Sequence, residues 1–283
     1  MSEFTPQPLR IRVGELIFDA LVSGPPDGEP VLLLHGFPQT MAMWRPLLDD
    51  LGRQGYRCVA FNQRGYSPDA RPDGVEAYRT DELAGDVVDV LDHLGWERTH
   101  LIGHDWGAAV AWRVALAAPE RLRTLNVLSV GHPEALSEAI GSDDDQRSRS
   151  DYIGFLRRPD AAELLLADDA ARLRGFFADS PAADELGDTL EVLGEPAGLD
   201  AALNWYRGAG RTEPGAPKVN LPVLFLWSDN DPALGRVAAE RTGDHVAGPY
   251  RFVVLEGISH WIVQEAPGRV LAEVSRHISE HGS

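Results

Sequence analysis

Residues 99–108 read Thr99-His100-Leu101-Ile102-Gly103-His104-Asp105-Trp106-Gly107-Ala108. Thr99–Ile102 suits a buried strand, and Ala108–Ala118 has the composition and spacing of a helix. Between them stands Asp105, flanked at a distance of two residues by Gly103 and Gly107. Glycines in these places suit a sharp turn at which two backbones approach closely. An aspartate before a helix can also do no more than cap it. The segments on either side bear on which of the two applies.

Toward the N-terminus, Val31-Leu32-Leu33-Leu34 is a continuous apolar run ending in His35-Gly36. Such a run fits a strand covered on both faces, as parallel sheets require. Residues 9–13 and 16–18 form a hairpin pattern around Gly14-Glu15. A helix is expected over 41–54, a strand over 57–61, and a helix over 79–94, where Leu83, Val87, Val88, Leu91 and Leu94 recur at helical spacing. Further strands are expected at 122–128, 222–227 and 251–255, and a closing helix at 267–279. Strand–helix alternation of this kind predicts an α/β fold with a mostly parallel, doubly wound central sheet flanked by helices.

The alternation lapses between His132 and Pro217. This segment is rich in Ala, Leu, Asp and Arg, with helical spacing over 161–174 and 199–206 and no convincing strand. It reads as an inserted helical cap. The chain therefore divides into a first part of the core, 1–131, a cap, 132–217, and a second part of the core, 218–283. Asp143-Asp144-Asp145 is expected as a solvated loop, because it lacks the ligand spacing of a calcium loop.

A chain of 283 residues, 43% of them hydrophobic, suits one large domain with an insert. Its net charge of −18 repels phosphate backbones and anionic lipid, which disfavours nucleic acid and membrane as partners. The single cysteine, Cys58, excludes an intrachain disulfide and reads as a small core residue. Met1–Pro8 has no apolar signal-peptide core, and no apolar run is long enough to span a bilayer. A cytoplasmic protein is the default expectation; a homo-oligomer stays open. No cofactor is expected and no metal site, since there is neither a cysteine cluster nor a His-x-x-x-His spacing.

Three further stretches complete the pattern. They are His35-Gly36-Phe37-Pro38 after an apolar strand, Trp227-Ser228-Asp229-Asn230-Asp231-Pro232 at the end of the penultimate strand, and Gly257-Ile258-Ser259-His260-Trp261 after the last. Together with Gly103–Gly107 they resemble the epoxide hydrolase and haloalkane dehalogenase branch of the α/β-hydrolase superfamily over nearly the whole chain. The H-G-x-P and G-x-D-x-G motifs carry the likeness. The resemblance implies Asp105 as nucleophile on a strand–turn–helix elbow and His260 as the base. It implies an oxyanion hole from the backbone N–H groups of Phe37 and Trp106. An acid after the penultimate strand orients the histidine. Asp231 is preferred, and Asp229 can instead serve as a turn or capping residue. Arg64-Gly65-Tyr66-Ser67 also matches a loop of that branch and reads as a turn packed beneath the site. His35, by itself, reads as a histidine packing its loop, while His245, His277 and His281 read as solvated.

An aspartate in the nucleophile's place selects the reaction. A carboxylate attacking a carbonyl gains little, because it forms a mixed anhydride. Attack on saturated carbon bearing a leaving group gives an alkyl ester that water can then cleave. An epoxide oxygen leaves poorly without a hydrogen-bond donor, and in epoxide hydrolases two cap tyrosines supply one. Leu203-Asn204-Trp205-Tyr206-Arg207 resembles the Tyr-Arg pair of that branch and nominates Tyr206; Ser150-Asp151-Tyr152 nominates Tyr152. Each can instead be an aromatic packing cap against core. Phe37, Trp106, Trp205 and Trp261, beside His35 and Pro38, are candidates to line an apolar pocket. The expected activity is therefore hydrolysis of a small epoxide to a vicinal diol. The alternatives are a haloalkane or haloacid dehalogenase using the same Asp-His-Asp set, and a non-catalytic ligand-binding protein on this fold. The dehalogenase is disfavoured by Phe37, which offers no side-chain donor, and by Trp106 and Ala109 where haloacetate dehalogenases carry arginines.

Overall fold

A computed structural model describes residues 5–177, 180–210 and 215–282. Eight strands form one sheet in the order β1-β2-β4-β3-β5-β6-β7-β8. They are β1 (Gln7–Val13), β2 (Leu16–Ser23), β3 (Glu29–Leu34), β4 (Tyr56–Phe61), β5 (Thr99–His104), β6 (Leu122–Leu128), β7 (Val223–Ser228) and β8 (Tyr250–Leu255). β1 and β2 make the antiparallel hairpin expected around Gly14, and β2 is antiparallel to β4. Every other pairing is parallel. All residues of β5 and β7 are buried, and full burial explains why β7 is a near-continuous apolar run instead of an alternating one.

Helices α1 (Arg45–Arg53), α2 (Thr80–His93) and α3 (Trp106–Ala117) precede β6. Between β6 and β7 the described residues hold α4 (Pro133–Ser142), α5 (Asp144–Arg149), α6 (Tyr152–Leu156), α7 (Ala161–Gly175), α8 (Leu186–Leu193) and α9 (Pro196–Gly208), with a 3-10 turn at Pro181–Glu185. The chain closes with α10 (Arg236–Arg241), α11 (Ile262–Glu265) and α12 (Pro267–Glu280). α10, in the connection between β7 and β8, has no counterpart in the sequence reading. No helix among the described residues is long and apolar enough to cross a membrane.

The sheet separates two apolar cores. One joins Leu33, Leu48, Leu51, Ile102, Leu226, Val270 and Val274, beneath α1 and α12. The other joins Leu32, Leu101, Val110, Trp112 and Val127 to Leu156, Leu165, Leu199 and Trp205 of the insert. The insert thus shares the core of one sheet face, and burying its apolar stripe there is what fixes it over the strand ends.

Three expectations need correction. The stretch 161–174 is not one regular helix, because Ala167–Ala170 have non-helical dihedrals and Asp168, Asp169 and Ala170 have positive φ. Asp143–Asp145 is not a solvated loop. Asp143 caps α5 by accepting from the N–H groups of Asp145 and Gln146, and Asp144 and Asp145 lie in its first turn, where negative charge complements the helix dipole. His277 is buried on the inner face of α12, and His245 is half-buried beside Glu134 and Glu138. Helical periodicity on α12, with Val270, Val274 and Ile278 inward, draws His277 in with them.

Candidate active site

Four strand ends deliver the site. Asp105 follows β5, the His35–Pro38 loop follows β3, Asp231 follows β7, and His260 follows β8. In parallel α/β sheets the carboxyl ends of the strands are where such residues gather.

Asp105 has φ 53° and ψ −121°, left-handed backbone that a non-glycine residue rarely adopts. The turn is held by tight neighbours. A Cβ on Gly103 would lie 2.3 Å from the Gly107 carbonyl oxygen, and one on Gly107 would lie 2.1 Å from that of Leu34. Glycine is thus required on both sides, as the spacing suggests. Although Asp105 occupies the N-cap place of α3, its side chain makes no capping bond. It turns instead to the neighbouring loop, where Oδ1 accepts the Phe37 N–H at 2.7 Å. The Trp106 backbone N–H also hydrogen-bonds the carboxylate. Gly36 makes room for this, since a Cβ there would stand 2.2 Å from Oδ1.

The second oxygen, Oδ2, lies 3.5 Å from His260 Nε2. His260 Nδ1 is 2.7 Å from Asp231 Oδ2, while Asp231 Oδ1 accepts the N–H groups of Ala233 and Leu234 at 2.8 and 3.0 Å. Asp231 is fully buried. Asp229 is exposed and accepts the Gly257 N–H at 2.7 Å, which makes it the turn residue of the pair. His260 therefore stands between two carboxylates. Burial alone would strip its charge, but Asp231 and Asp105 outweigh that and raise it to about 10. Burial likewise works against ionised Asp105, and His260 with the surrounding donors overcomes it, leaving the carboxyl below its usual range. The resting pair is a carboxylate facing an imidazolium.

Tyr206 of α9 and Tyr152 of α6 come together from the insert, with ring centroids 6.5 Å apart and a hydrogen bond between them. Tyr206 packs edge-on to Phe37 at 5.4 Å and to Trp106 at 5.1 Å, and the Trp106 side chain hydrogen-bonds it. Burial raises both phenols, with the charge on Asp105 adding to the shift, so both keep their protons. Arg157 Nε donates to the Tyr206 carbonyl, which ties α6 to α9. Asp105, His260 and Tyr206 are each less than a tenth exposed, so the insert closes over the site.

The remaining candidates divide. Phe37 is buried against Phe176 and Tyr206, and Pro38 follows it, buried, through a cis peptide bond. Trp261 contacts the His260 ring edge-on at 5.0 Å and donates Nε1–H to the Phe176 carbonyl. His35 and Trp205 lie behind the site and not on it. His35 is fully buried, accepts the Gln63 N–H through Nε2 and packs on Tyr66; burial lowers it to about 4. Trp205 is fully buried with its Nε1–H on the Arg64 carbonyl, so the turn Arg64–Ser67 packs against it and is anchored by the Arg64–Asp86 pair. An i, i+1 pair on a helix cannot face one cavity together; Tyr206 points in and Trp205 points aside. The sequence reading missed His104. It is fully buried, lies with its ring tilted against that of His260 at 4.9 Å and has its Nε2 3.0 Å from the His260 carbonyl oxygen. Its place beside the nucleophile was the available signal. Among the described residues, Glu134, Glu138 and His245 bring one ligand-type atom each within 4.8 Å of one another, but Glu134 already accepts the Gly215 and Ala216 N–H groups.

Known proteins share this fold. The family model described as "alpha/beta hydrolase fold" matches residues 29–267. The AB hydrolase superfamily protein YfhM of Bacillus subtilis (strain 168) is 33% identical over 88% of this chain and 89% of its own. Epoxide hydrolase A of Mycobacterium tuberculosis is 32% identical over 93% of this chain and 92% of its own. Among solved structures, one of the novel epoxide hydrolases from metagenomes of hot environments superposes with a TM-score of 0.87 at 27% identity, covering 97% of this chain and 99% of that one. The chain belongs to the alpha/beta hydrolase fold family.

Proposed function

We propose that this protein is an epoxide hydrolase, opening a small neutral epoxide to a vicinal diol through an ester on Asp105. The observation that carries the proposal is the division of labour between the two oxygens of Asp105. Oδ1 already accepts the Phe37 N–H, and Oδ2 is left facing His260. Oδ2 attacks a ring carbon. The ring C–O bond breaks, its electron pair goes to the epoxide oxygen, and a phenolic O–H of Tyr206 or Tyr152 stabilises or protonates that oxygen. Residues 132–217 act as the cap that brings these phenols over the nucleophile. Trp261 and Phe37, with Pro38 behind them, present apolar surface to the substrate.

Ester formation changes the histidine. Once Asp105 is alkylated it no longer carries charge, and His260 loses one of the two carboxylates that hold its proton. Its proton passes to the alkoxide left by ring opening, or to the tyrosine that has protonated it, and the neutral imidazole then takes one from water, which attacks the acyl carbon of Asp105. The negative charge that develops falls on Oδ1, where the Phe37 N–H already points, with the Trp106 N–H on the same carboxylate. The acyl C–Oδ2 bond breaks, the diol leaves with that oxygen after it takes up the proton of the newly formed carboxyl group, and Asp231 steadies the imidazolium.

The names and similarity of the relatives support an epoxide as substrate. The test is a panel of terminal and aryl epoxides assayed for diol, beside haloalkanes assayed for halide, with wild type, Asp105→Ala and His260→Gln. Diol from wild type, none from Asp105→Ala, and a mass increase equal to one whole epoxide on His260→Gln are expected. Halide release without diol would assign the site to a dehalogenase.

A further inference from the structure

A further carboxylate reaches the loops of the site from the insert. Glu185, at the end of the 3-10 turn Pro181–Glu185, accepts from Gln39 Nε2 through Oε2 at 2.9 Å and from Gln264 Nε2 through Oε1 at 2.9 Å. Gln39 is buried and lies two residues after Phe37, whose N–H holds Asp105. Gln264 lies four residues after His260, on α11. One side chain of the insert thus grips both loops that carry the machinery. The other end of the same turn is held in the reverse sense. Ser180 hydrogen-bonds Glu265, and Glu265 also accepts the Ser259 N–H at 2.8 Å, next to His260. Phe177, Ala182, Leu186 and Trp261 form a small apolar cluster beside these contacts. Burial holds the Glu185 carboxyl above its ordinary range.

We infer that Glu185 is a positioning residue for the proposed reaction: through Gln39 and Gln264 it holds the Phe37 donor and the His260 base in register while keeping the insert closed on Asp105. The inference rests on the hydrolase proposal for its kinetic consequence but not for its physical one. Hydrogen bonds at this site act as a network whose value lies in geometry, because small displacements of catalytic groups are expensive in rate. Glu185→Ala removes the shared acceptor. Glu185→Gln has a way to keep the link, since Gln39 Oε1 and Gln264 Oε1 are buried without partners and an amide turn presents one of them to the new N–H₂.

The test combines hydrogen exchange without substrate and steady-state kinetics, on the full chain. In Glu185→Ala, amides in 35–39 and 259–265 are expected to exchange about tenfold faster, while the core strands keep their protection. On an epoxide that wild type turns over, kcat is expected to fall about tenfold with KM moving less than about threefold, and Glu185→Gln recovers most of the loss. Unchanged exchange in both segments overturns the inference. So does an unchanged kcat, a loss confined to KM, or a Glu185→Gln variant as impaired as Glu185→Ala. If wild type turns over no epoxide but exchange responds as expected, the hydrolase proposal falls and the positioning role of Glu185 stands.

Discussion

The two oxygens of Asp105 are inequivalent, and that makes the mechanism traceable atom by atom. A single turnover in water enriched in oxygen-18 is expected to leave the label in the Asp105 carboxylate and not in the diol, as read by mass spectrometry of the corresponding peptide. Label in the diol after one turnover would mean direct attack by water. The charge on His260 has its own pH signature. Its proton is held to about pH 10 in the folded protein against an ordinary value near 6.5. A raised pKa stabilises the fold fully below the unfolded value, and the contribution is lost as pH rises through the folded one. The stability advantage of wild type over His260→Gln is therefore expected to shrink between about pH 6.5 and 10, as followed by thermal melting. Tyr206 and Tyr152 keep their protons throughout, because burial raises both. Replacing either by phenylalanine is expected to lower kcat/KM on the order of a hundredfold, measured as diol formation, with Tm little changed.

At the level of the elements, the elbow is tightly packed. Gly36 and Gly107 are pressed by the very groups they serve, so Gly36→Ala forces the Asp105 carboxylate off its donors. That variant is expected to fold and to lose at least about a hundredfold in kcat, a loss comparable to removal of one oxyanion donor. Most elements of the core were legible from local signals, such as apolar runs for buried strands, i, i+4 spacing for α2 and glycine punctuation at the turns, whereas the short helices α10 and α11 carry too few turns to show a period. The parallel sheet and the strand-end placement of Asp105, Asp231 and His260 came with that alternation. The insert was legible as helix but not in detail. Nothing in 161–174 announces the break at Ala167–Ala170, since the apolar spacing continues through it. Trp205 and His277 were misplaced for a related reason. Composition says that a ring is amphipathic, but only the packing of α9 and α12 decides which face it takes. Glu185 carries no motif, and its partners lie 146 and 79 residues away, so its role exists only in three dimensions.

For the whole molecule, the dominant quantity is a net charge of −18 around a site that is nearly sealed. Such a field repels anionic substrates and is screened by salt within about 8–10 Å at physiological ionic strength. Raising salt from 20 to about 200 mM is expected to increase kcat/KM severalfold for an epoxide bearing a carboxylate, and to leave a neutral epoxide within about a factor of two. Equal salt responses would show that the surface field does not reach the entering substrate.

The proposed catalytic parts hang from four different strands: β3 pairs with β5, β7 pairs with β8, and β6 joins the two pairs. No fragment of the chain owns enough of them to work alone. Turnover should consequently behave as an all-or-none thermometer of the sheet, vanishing in the same cooperative transition that dissolves the strands, with no partly active remnant to be harvested from a nicked or truncated chain.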